Sequence, residues 1–164
     1  MRSSHVPLLV IALAFATSHA SAQSEPTSVR IIQASACDTV LTLERLQKLP
    51  AHTVEIKGHD GQSATYTGAL LMDVIGAGCP AVPVAEKRER IGMAVRVDAW
   101  DGYHAIIALM EADTSFRERP VLLTWARNGK PLDEHDGPLQ LIIPDDLRHA
   151  RDVRRVKQLS IVAP

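Results

Sequence analysis

Five basic residues near the carboxyl end form the segment of this sequence most suited to chemistry: Arg148, Arg151, Arg154, Arg155 and Lys157. Three of these arginines lie three and four positions apart, so a short helix would place them on one side. Planar guanidinium groups bind phosphate through paired hydrogen bonds. The segment therefore predicts an anion site or, as the alternative, a solvated face neutralised by the nearby acids Asp145, Asp146 and Asp152.

Histidines are the second group that could bind a ligand or move protons. Beyond residue 22 they are scattered singly, at His52, His59, His104, His135 and His149. No pair has the spacing of a metal site on one helix face or one strand, so we predict no metal ligands. His59 and His104 flank tight turns that could face a common cleft, while a surface or hydrogen-bonded role is the alternative for each.

The sequence contains two cysteines, Cys37 and Cys79, and neither has a Cys or His neighbour at metal-ligand spacing. In an oxidising compartment an isolated pair usually forms a disulfide. Such a bond would close a long loop and add roughly 4 kcal/mol in the chain-entropy model. Two buried thiols, or one metal-bound or reactive thiol, are the alternatives.

The amino-terminal segment predicts export. Arg2 precedes an uncharged apolar run over residues 6–15, and Ala20-Ser21-Ala22 offers the small side chains of a cleavage site. The run is shorter than the roughly 20 apolar residues that span a bilayer. We expect a signal peptide over 1–22, no membrane span after its cleavage, and a periplasmic or secreted protein; an uncleaved anchor is the alternative.

Composition and motif searches exclude several classes of function. The formal net charge is −1 and aromatic residues make up 4% of the chain, which argues against nucleic-acid and membrane-surface binding. The sequence has no phosphate-binding glycine loop, no serine nucleophile elbow and no His-Glu-x-x-His pair. An unrelated hydrolase is therefore disfavoured.

Short elements must position these residues. Alternating patterns predict about seven short strands, at 29–32, 53–56, 94–100, 103–108, 121–125, 139–143 and 156–162, with a further extended piece at 65–67. Helices are expected between Thr42 and Pro50, from Gly68 to Gly76, and near 146–152. Residues 80–91 are predicted as a loop and 110–118 as a short helical or irregular crossover.

Local hairpins dominate this pattern, above all the Asp101-Gly102 turn between two alternating runs. Short strands with three or four helices between them favour a mixed α+β fold over a doubly wound parallel sheet. We expect a leader with the first strand over 23–37 and one mixed domain over 38–164.

Several motifs in order resemble one family. They are a Leu-x-x-Leu-Pro helix end at 46–50, the strand TVEI at 53–56, the segment YTGALLMDVI at 66–75, the hairpin AWDGY at 99–103, and the strand GPLQLIIP at 137–144, followed by a basic turn and a last strand. Together they resemble the molybdopterin-binding domain of the sulfite oxidase family over about residues 38–162. The resemblance implies a mixed α+β domain of that type and molybdopterin as the cofactor.

The resemblance also suggests site residues. Arg151 and Arg154 match, approximately, the basic positions that face the cofactor phosphate in that family, and Asp101 to Tyr103 match its hairpin. The same hairpin residues also have a purely structural role, because Asp-Gly makes the turn. If catalysis survives, Tyr103 would orient the substrate, His104 would move protons near neutral pH, and Arg151 would hold an anion.

One departure from the family is clear. The family's molybdenum-ligating cysteine lies between the Thr-Val strand and the aromatic-x-Gly segment, and residues 53–66 contain no cysteine here. His59 falls near that position, but molybdenum of this kind favours thiolate over imidazole. The first hypothesis is a redox-related domain that still binds molybdopterin and meets a redox partner protein. The second is a non-catalytic periplasmic binding module for a small anion, a protein partner, or a haem or metal held by His59 or His104.

Overall fold

The computed structural model describes residues 27–58 and 61–162. The predicted signal peptide and His59 lie outside the described residues. No helix in the described part of the chain is long and apolar enough to cross a membrane.

Ten strands are formed by the described residues: β1 (Ser28–Gln33), β2 (Cys37–Thr42), β3 (Ala51–Lys57), β4 (Ser63–Leu70), β5 (Ala94–Ala99), β6 (His104–Ala108), β7 (Leu122–Arg127), β8 (Lys130–Pro131), β9 (Gln140–Ile142) and β10 (Val156–Val162). Four short helices lie between them: α1 (Leu43–Leu46), α2 (Leu71–Gly78), α3 (Ala81–Val84) and α4 (Lys87–Gly92). Two 3₁₀ turns span Leu109–Ala112 and His149–Arg151.

The strands form two sheets. Sheet A has the order β2-β1-β10-β5-β6, in which β1 and β10 are parallel and the other pairs antiparallel. Sheet B has the order β3-β4-β7-β8, and β9 also pairs with β7. Sheet B is antiparallel throughout. Four short helices with one mixed and one antiparallel sheet confirm the predicted α+β class.

Local chemistry explains most of the turns. The Thr42 hydroxyl accepts a hydrogen bond from the Arg45 backbone N–H at 3.4 Å and caps α1. Gly102 has a φ of +89° in the β5–β6 hairpin, and Asn128 and Gly129 both have positive φ in the β7–β8 turn. These are the turn residues that tight hairpins require.

The main core is apolar and contains residues of both sheets and α2. Val97 and Leu159 of sheet A, Leu123 and Leu141 of sheet B, and Ile75 of α2 are all fully buried in it. The disulfide between Cys37 and Cys79 joins the start of β2 to the residue after α2. The predicted disulfide is therefore confirmed, and it ties sheet A to α2.

A second, smaller apolar cluster lies on sheet B: Ile56, Ala64, Tyr66 and Ile142. Leu141 belongs to the main core and its neighbour Ile142 to this cluster. Successive side chains of a strand point to opposite faces. The small cluster is thus on the face of sheet B that points away from the main core.

Three element predictions were wrong, and strand β2 was not predicted. The helix expected from Gly68 begins at Leu71, because β4 continues to Leu70. A Cβ on Gly68 would come within 2.2 Å of the Leu123 carbonyl oxygen, so glycine permits this close strand pairing. Residues 80–91 contain α3 and α4 instead of a loop, and residues 37–42 form a strand that was not predicted. The helix expected near 146–152 is only the 3₁₀ turn His149–Arg151.

Candidate functional site

An open cleft of about 690 Å³ lies over the small apolar cluster of sheet B. Ile56 and Tyr66 of that cluster line it, together with the β5–β6 hairpin end and the segment from His149 to Arg154. Residues from several separate parts of the sequence therefore meet at this cleft.

The hairpin end is fixed by two hydrogen bonds. Asp101 Oδ1 accepts the Tyr103 backbone N–H at 2.9 Å, which closes the turn that Gly102 permits. The Tyr103 hydroxyl donates to the Ala150 carbonyl oxygen in the 3₁₀ turn. The hairpin and the basic segment, whose meeting the sequence could not show, are therefore in direct contact.

Strand β9 and the segment after the 3₁₀ turn present one common face to the cleft. Leu141 and Val153 form an antiparallel bridge, with backbone hydrogen bonds of 2.8 and 3.2 Å between them. Residues on either side of such a pair point to the opposite face from the pair itself. Gln140 and Asp152 thus lie diagonally on one face, at a separation of about 7–8 Å between their backbones.

Asp152 is a buried carboxylate in this cleft. Its Oδ1 accepts the Ile143 backbone N–H at 2.8 Å, and its Oδ2 lies 3.1 Å from His149 Nδ1. Burial raises the pKa of the Asp152 carboxyl to about 6. No arginine or lysine of the described residues forms an ion pair with it, so the imidazole of His149 is its partner.

Asp136 is the second buried carboxylate, and two arginines face it. Arg154 Nε lies 2.9 Å from Asp136 Oδ1, and an Arg127 guanidinium nitrogen lies 3.8 Å from Asp136 Oδ2. His135 Nδ1 is also 2.9 Å from Asp136 Oδ1. The charge of Asp136 is therefore compensated within the protein, in contrast to that of Asp152.

Gln140 lines the cleft with a side-chain oxygen that lacks a hydrogen-bond donor. Its residue is 5% exposed, and no described residue donates to Oε1. The Gln140 main-chain carbonyl is satisfied by the Thr124 hydroxyl at 2.9 Å. A buried amide oxygen without a donor is unfavourable for the free protein and favours a ligand that supplies an N–H or O–H group.

The predicted basic face does not form. Arg151 binds Asp146 through hydrogen bonds of 2.6 and 2.8 Å and Glu111 through two of 3.2 Å, and it is absent from the cleft lining. These carboxylates raise the pKa of Arg151 above its ordinary value. Only a 3₁₀ turn is present, so the arginines have no shared helix face, and Arg154 alone of them lines the cleft. For Arg151 the alternative prediction is therefore correct, because nearby acids including Asp146 neutralise its charge.

The two histidines of interest have different positions. His104 is exposed on β6, opposite Asp98 of β5, and does not line the cleft. His59 lies outside the described residues, so its predicted role stays a prediction. Asp101, Tyr103 and Arg154 are the predicted site residues that the fold brings to the cleft.

Sequence reasoning missed the buried polar residues of the site. Gln140 and Asp152 were not predicted as site residues, and Asp136 and His149 were not either. One signal was available, because Gln140 is a lone polar residue inside the apolar strand segment 139–143. Asp136, His149 and Asp152 lie in loops or turns, and no local sequence pattern specifies where those segments lie in the fold.

The residues present do not fit a thiolate-ligated metal. The sequence has two cysteines, and both sulfurs are joined in the Cys37–Cys79 disulfide away from the cleft. The loop residues Asp133, His135 and Asp136 have ligand atoms within 4.8 Å of one another. Asp133 Oδ1, however, accepts the backbone N–H groups of His135 and Asp136 at 3.0 and 2.9 Å, so turn formation explains that cluster.

Comparisons with known proteins support the fold. No family model matches the sequence, and no curated protein matches it. Among solved structures, the sulfane dehydrogenase SoxCD from Paracoccus pantotrophus has a similar fold, with a TM-score of 0.63 and 16% sequence identity. The match covers 83% of this chain and 38% of the matched SoxCD chain, so this chain spans well under half of that chain's length.

Proposed function

We propose that this chain is an exported binding module that retains the fold and the cleft of a molybdopterin-binding oxidoreductase domain but not thiolate-ligated molybdenum chemistry. The fold is supported by the likeness to SoxCD, and the assignment to the sulfite oxidase type by the order of the sequence motifs. Export follows from the predicted signal peptide at residues 1–22.

The observation that carries this proposal is the contrast between the cysteines and the cleft. Both cysteines form the disulfide, and the chain has no other thiol to ligate a soft metal. The cleft nevertheless retains Gln140 Oε1 without a donor and the buried carboxylate of Asp152. Buried polar groups of this kind lower the stability of the free protein, which supports retention for ligand binding.

A redox-related domain that binds molybdopterin without a protein thiolate is the second candidate. Arg154 favours it, because this arginine lines the cleft at one of the positions that the family resemblance assigns to the cofactor phosphate. The Arg154 guanidinium already contacts two protein groups: Nη1 lies 3.2 Å from His135 Nε2, and Nε lies 2.9 Å from Asp136 Oδ1. These contacts leave it poorly prepared for bidentate phosphate binding, and the first candidate is therefore favoured.

The test is purification of the mature protein from the periplasm of a host that makes molybdopterin, followed by elemental analysis for molybdenum and iron and fluorescence analysis for oxidised pterin. We expect an amino terminus at Gln23 and no stoichiometric molybdenum, iron or pterin. A molybdoenzyme with a cysteine ligand, expressed in the same host, is the positive control. Stoichiometric molybdenum would establish the second candidate, and protein retained in the cytoplasm with its amino terminus intact would contradict export.

A further inference from the structure

Acceptors and cations occupy different depths in the cleft. The side chains of Asp136 and Asp152 are 10% and 9% exposed, whereas those of Arg127 and Arg154 are 50% and 54% exposed. The two carboxylates therefore lie deeper in the cleft than the two arginines, which lie at its rim.

The two rim arginines are already directed at one carboxylate. Arg154 and Arg127 lie 2.9 and 3.8 Å from Asp136. Asp152 has no such partner among the described residues, and Gln140 Oε1 beside it has no donor. An entering anion would meet a buried carboxylate and an unpaired carbonyl, whereas an entering N–H cation would satisfy both.

We propose that the cleft binds a small organic cation whose planar amidinium or guanidinium group donates hydrogen bonds to Asp152 and Gln140. This inference rests on the binding role proposed above and specifies its ligand class. A planar group with several N–H donors can reach both acceptors, because Gln140 on β9 and Asp152 on the adjacent segment lie diagonally on the same face.

The rest of the cleft fits an apolar or aromatic body attached to that cation. Ile56 and the Tyr66 ring line it beside Gln140. The Arg127 guanidinium carbon lies 5.6 Å from the centre of the Tyr66 ring and covers part of it. A cleft of about 690 Å³ is large enough for a single-ring ligand.

Three probes with one ring and different charge test the proposal: benzamidine, a cation; benzamide, which is neutral; and benzoate, an anion. Binding to the mature protein is measured by calorimetry and by chemical-shift changes at pH 7.5. We expect benzamidine to bind about tenfold or more tightly than either of the other probes, since one charge-assisted hydrogen bond supplies about that factor.

Two variants locate the site. Asp152→Asn keeps an acceptor for the Ile143 N–H but removes the charge, and we expect it to weaken benzamidine binding about tenfold. Asp38→Asn makes the same substitution at an exposed carboxylate of sheet A, outside the cleft, and should leave the affinity unchanged. Gln140→Met retains an unbranched buried side chain without the carbonyl oxygen and should also weaken binding.

The pH dependence gives a further readout. Because the pKa of Asp152 is raised to about 6, its carboxylate is lost as the pH falls through that value. Benzamidine affinity should therefore fall between pH 7.5 and pH 5 in the wild-type protein, and less so in Asp152→Asn. The charged groups that face Asp152 or share its cleft are His149, Asp146, Asp101, Asp136, Arg127 and Arg154.

Each outcome decides the proposal. Preferential binding of benzoate or of inorganic phosphate would overturn it in favour of an anion site, as would absence of benzamidine binding to protein that melts normally. Benzamidine binding that is unchanged in Asp152→Asn would also overturn it. Stoichiometric molybdenum in the native protein would contradict the proposed function separately, because that measurement does not depend on these probes.

Discussion

The two faces of strand β9 differ in what they do for the protein. Leu141 points into the main core, where both sheets and α2 surround it. Gln140 and Ile142 point to the opposite face, where a cluster of only four buried apolar residues lies under the cleft. One three-residue strand therefore contributes stability on one side and an incompletely satisfied binding surface on the other.

The two faces differ in whether their buried groups all have suitable partners. On the core face, the described residues form a large buried apolar cluster, and the Cys37–Cys79 disulfide ties sheet A to α2 beside it. On the cleft face, a carboxylate with a raised pKa and an amide oxygen without a donor lie among apolar residues. Sequences rarely bury such groups without a functional reason, since each costs stability.

The largest expected effect compares the two apolar neighbours on β9. Leu141→Ala should lower the free energy of unfolding by roughly 3–5 kcal/mol, because the enclosed core leaves a cavity. Ile142→Ala should cost less, about 2 kcal/mol, because its small cluster borders the open cleft and can relax. Urea denaturation of both variants measures the difference, and equal losses would mean that the cleft face is as tightly packed as the core.

The core face is also the part that the sequence predicted well. Alternating apolar residues indicated β5, β6 and β10, and the Asp101-Gly102 turn was predicted correctly. The missed and misassigned strands do not share one cause. Strand β2 was not predicted although it pairs with its sequence neighbour β1. Gly68 was assigned to a helix, yet it is extended and packs against the Leu123 backbone, a contact that no local pattern reports.

The next effect in size concerns Asp152. Its pKa of about 6 exceeds the ordinary value of about 3.9 expected in the unfolded chain, so the folded protein binds this proton more tightly. The resulting stability is complete below pH 4 and is lost as the pH rises through 6, by roughly 2–3 kcal/mol.

Asp152→Asn isolates that contribution. The free energy of unfolding of the wild type should fall relative to the variant as the pH rises from 4 to 7, measured by urea denaturation at each pH. Carboxyls whose pKa values are lowered act below this window: Asp38, Asp113 and Asp133. A constant difference between wild type and variant from pH 4 to pH 7 would show that Asp152 is not protonated in this range.

Substitution of Gln140 should change the free energy of unfolding by a smaller amount, and it should raise stability where the core truncation Leu141→Ala lowers it. Gln140→Met removes a buried oxygen without a donor and retains apolar volume, so we expect the free protein to gain about 1 kcal/mol. The same variant should bind benzamidine less tightly. Thermal unfolding with and without ligand measures both quantities, and a loss of stability would indicate that Gln140 is satisfied within the protein.

The site was less predictable than the fold for a physical reason. Asp101 and Tyr103 could be identified because a hairpin turn is a local feature, and both reach the cleft. Arg151 was expected to face an anion, yet its guanidinium is held by Glu111, 40 positions earlier in the chain. Ion pairing of this kind depends on the tertiary fold, and charge spacing along the sequence does not report it.

The smallest expected effect on stability and binding is that of substituting His104, the neighbour of the cleft residue Tyr103. Tyr103 contacts the 3₁₀ turn beside the cleft, whereas His104 points to the solvent from the edge strand β6. His104→Ala should therefore change the free energy of unfolding by less than about 0.5 kcal/mol and leave benzamidine affinity unchanged. Tyr103→Phe, the matched variant, removes the hydroxyl that donates to Ala150 and should weaken binding by loosening that turn. If His104→Ala had the larger effect on affinity, the ligand would have to extend along the outer edge of sheet A, and the cleft would no longer define the site.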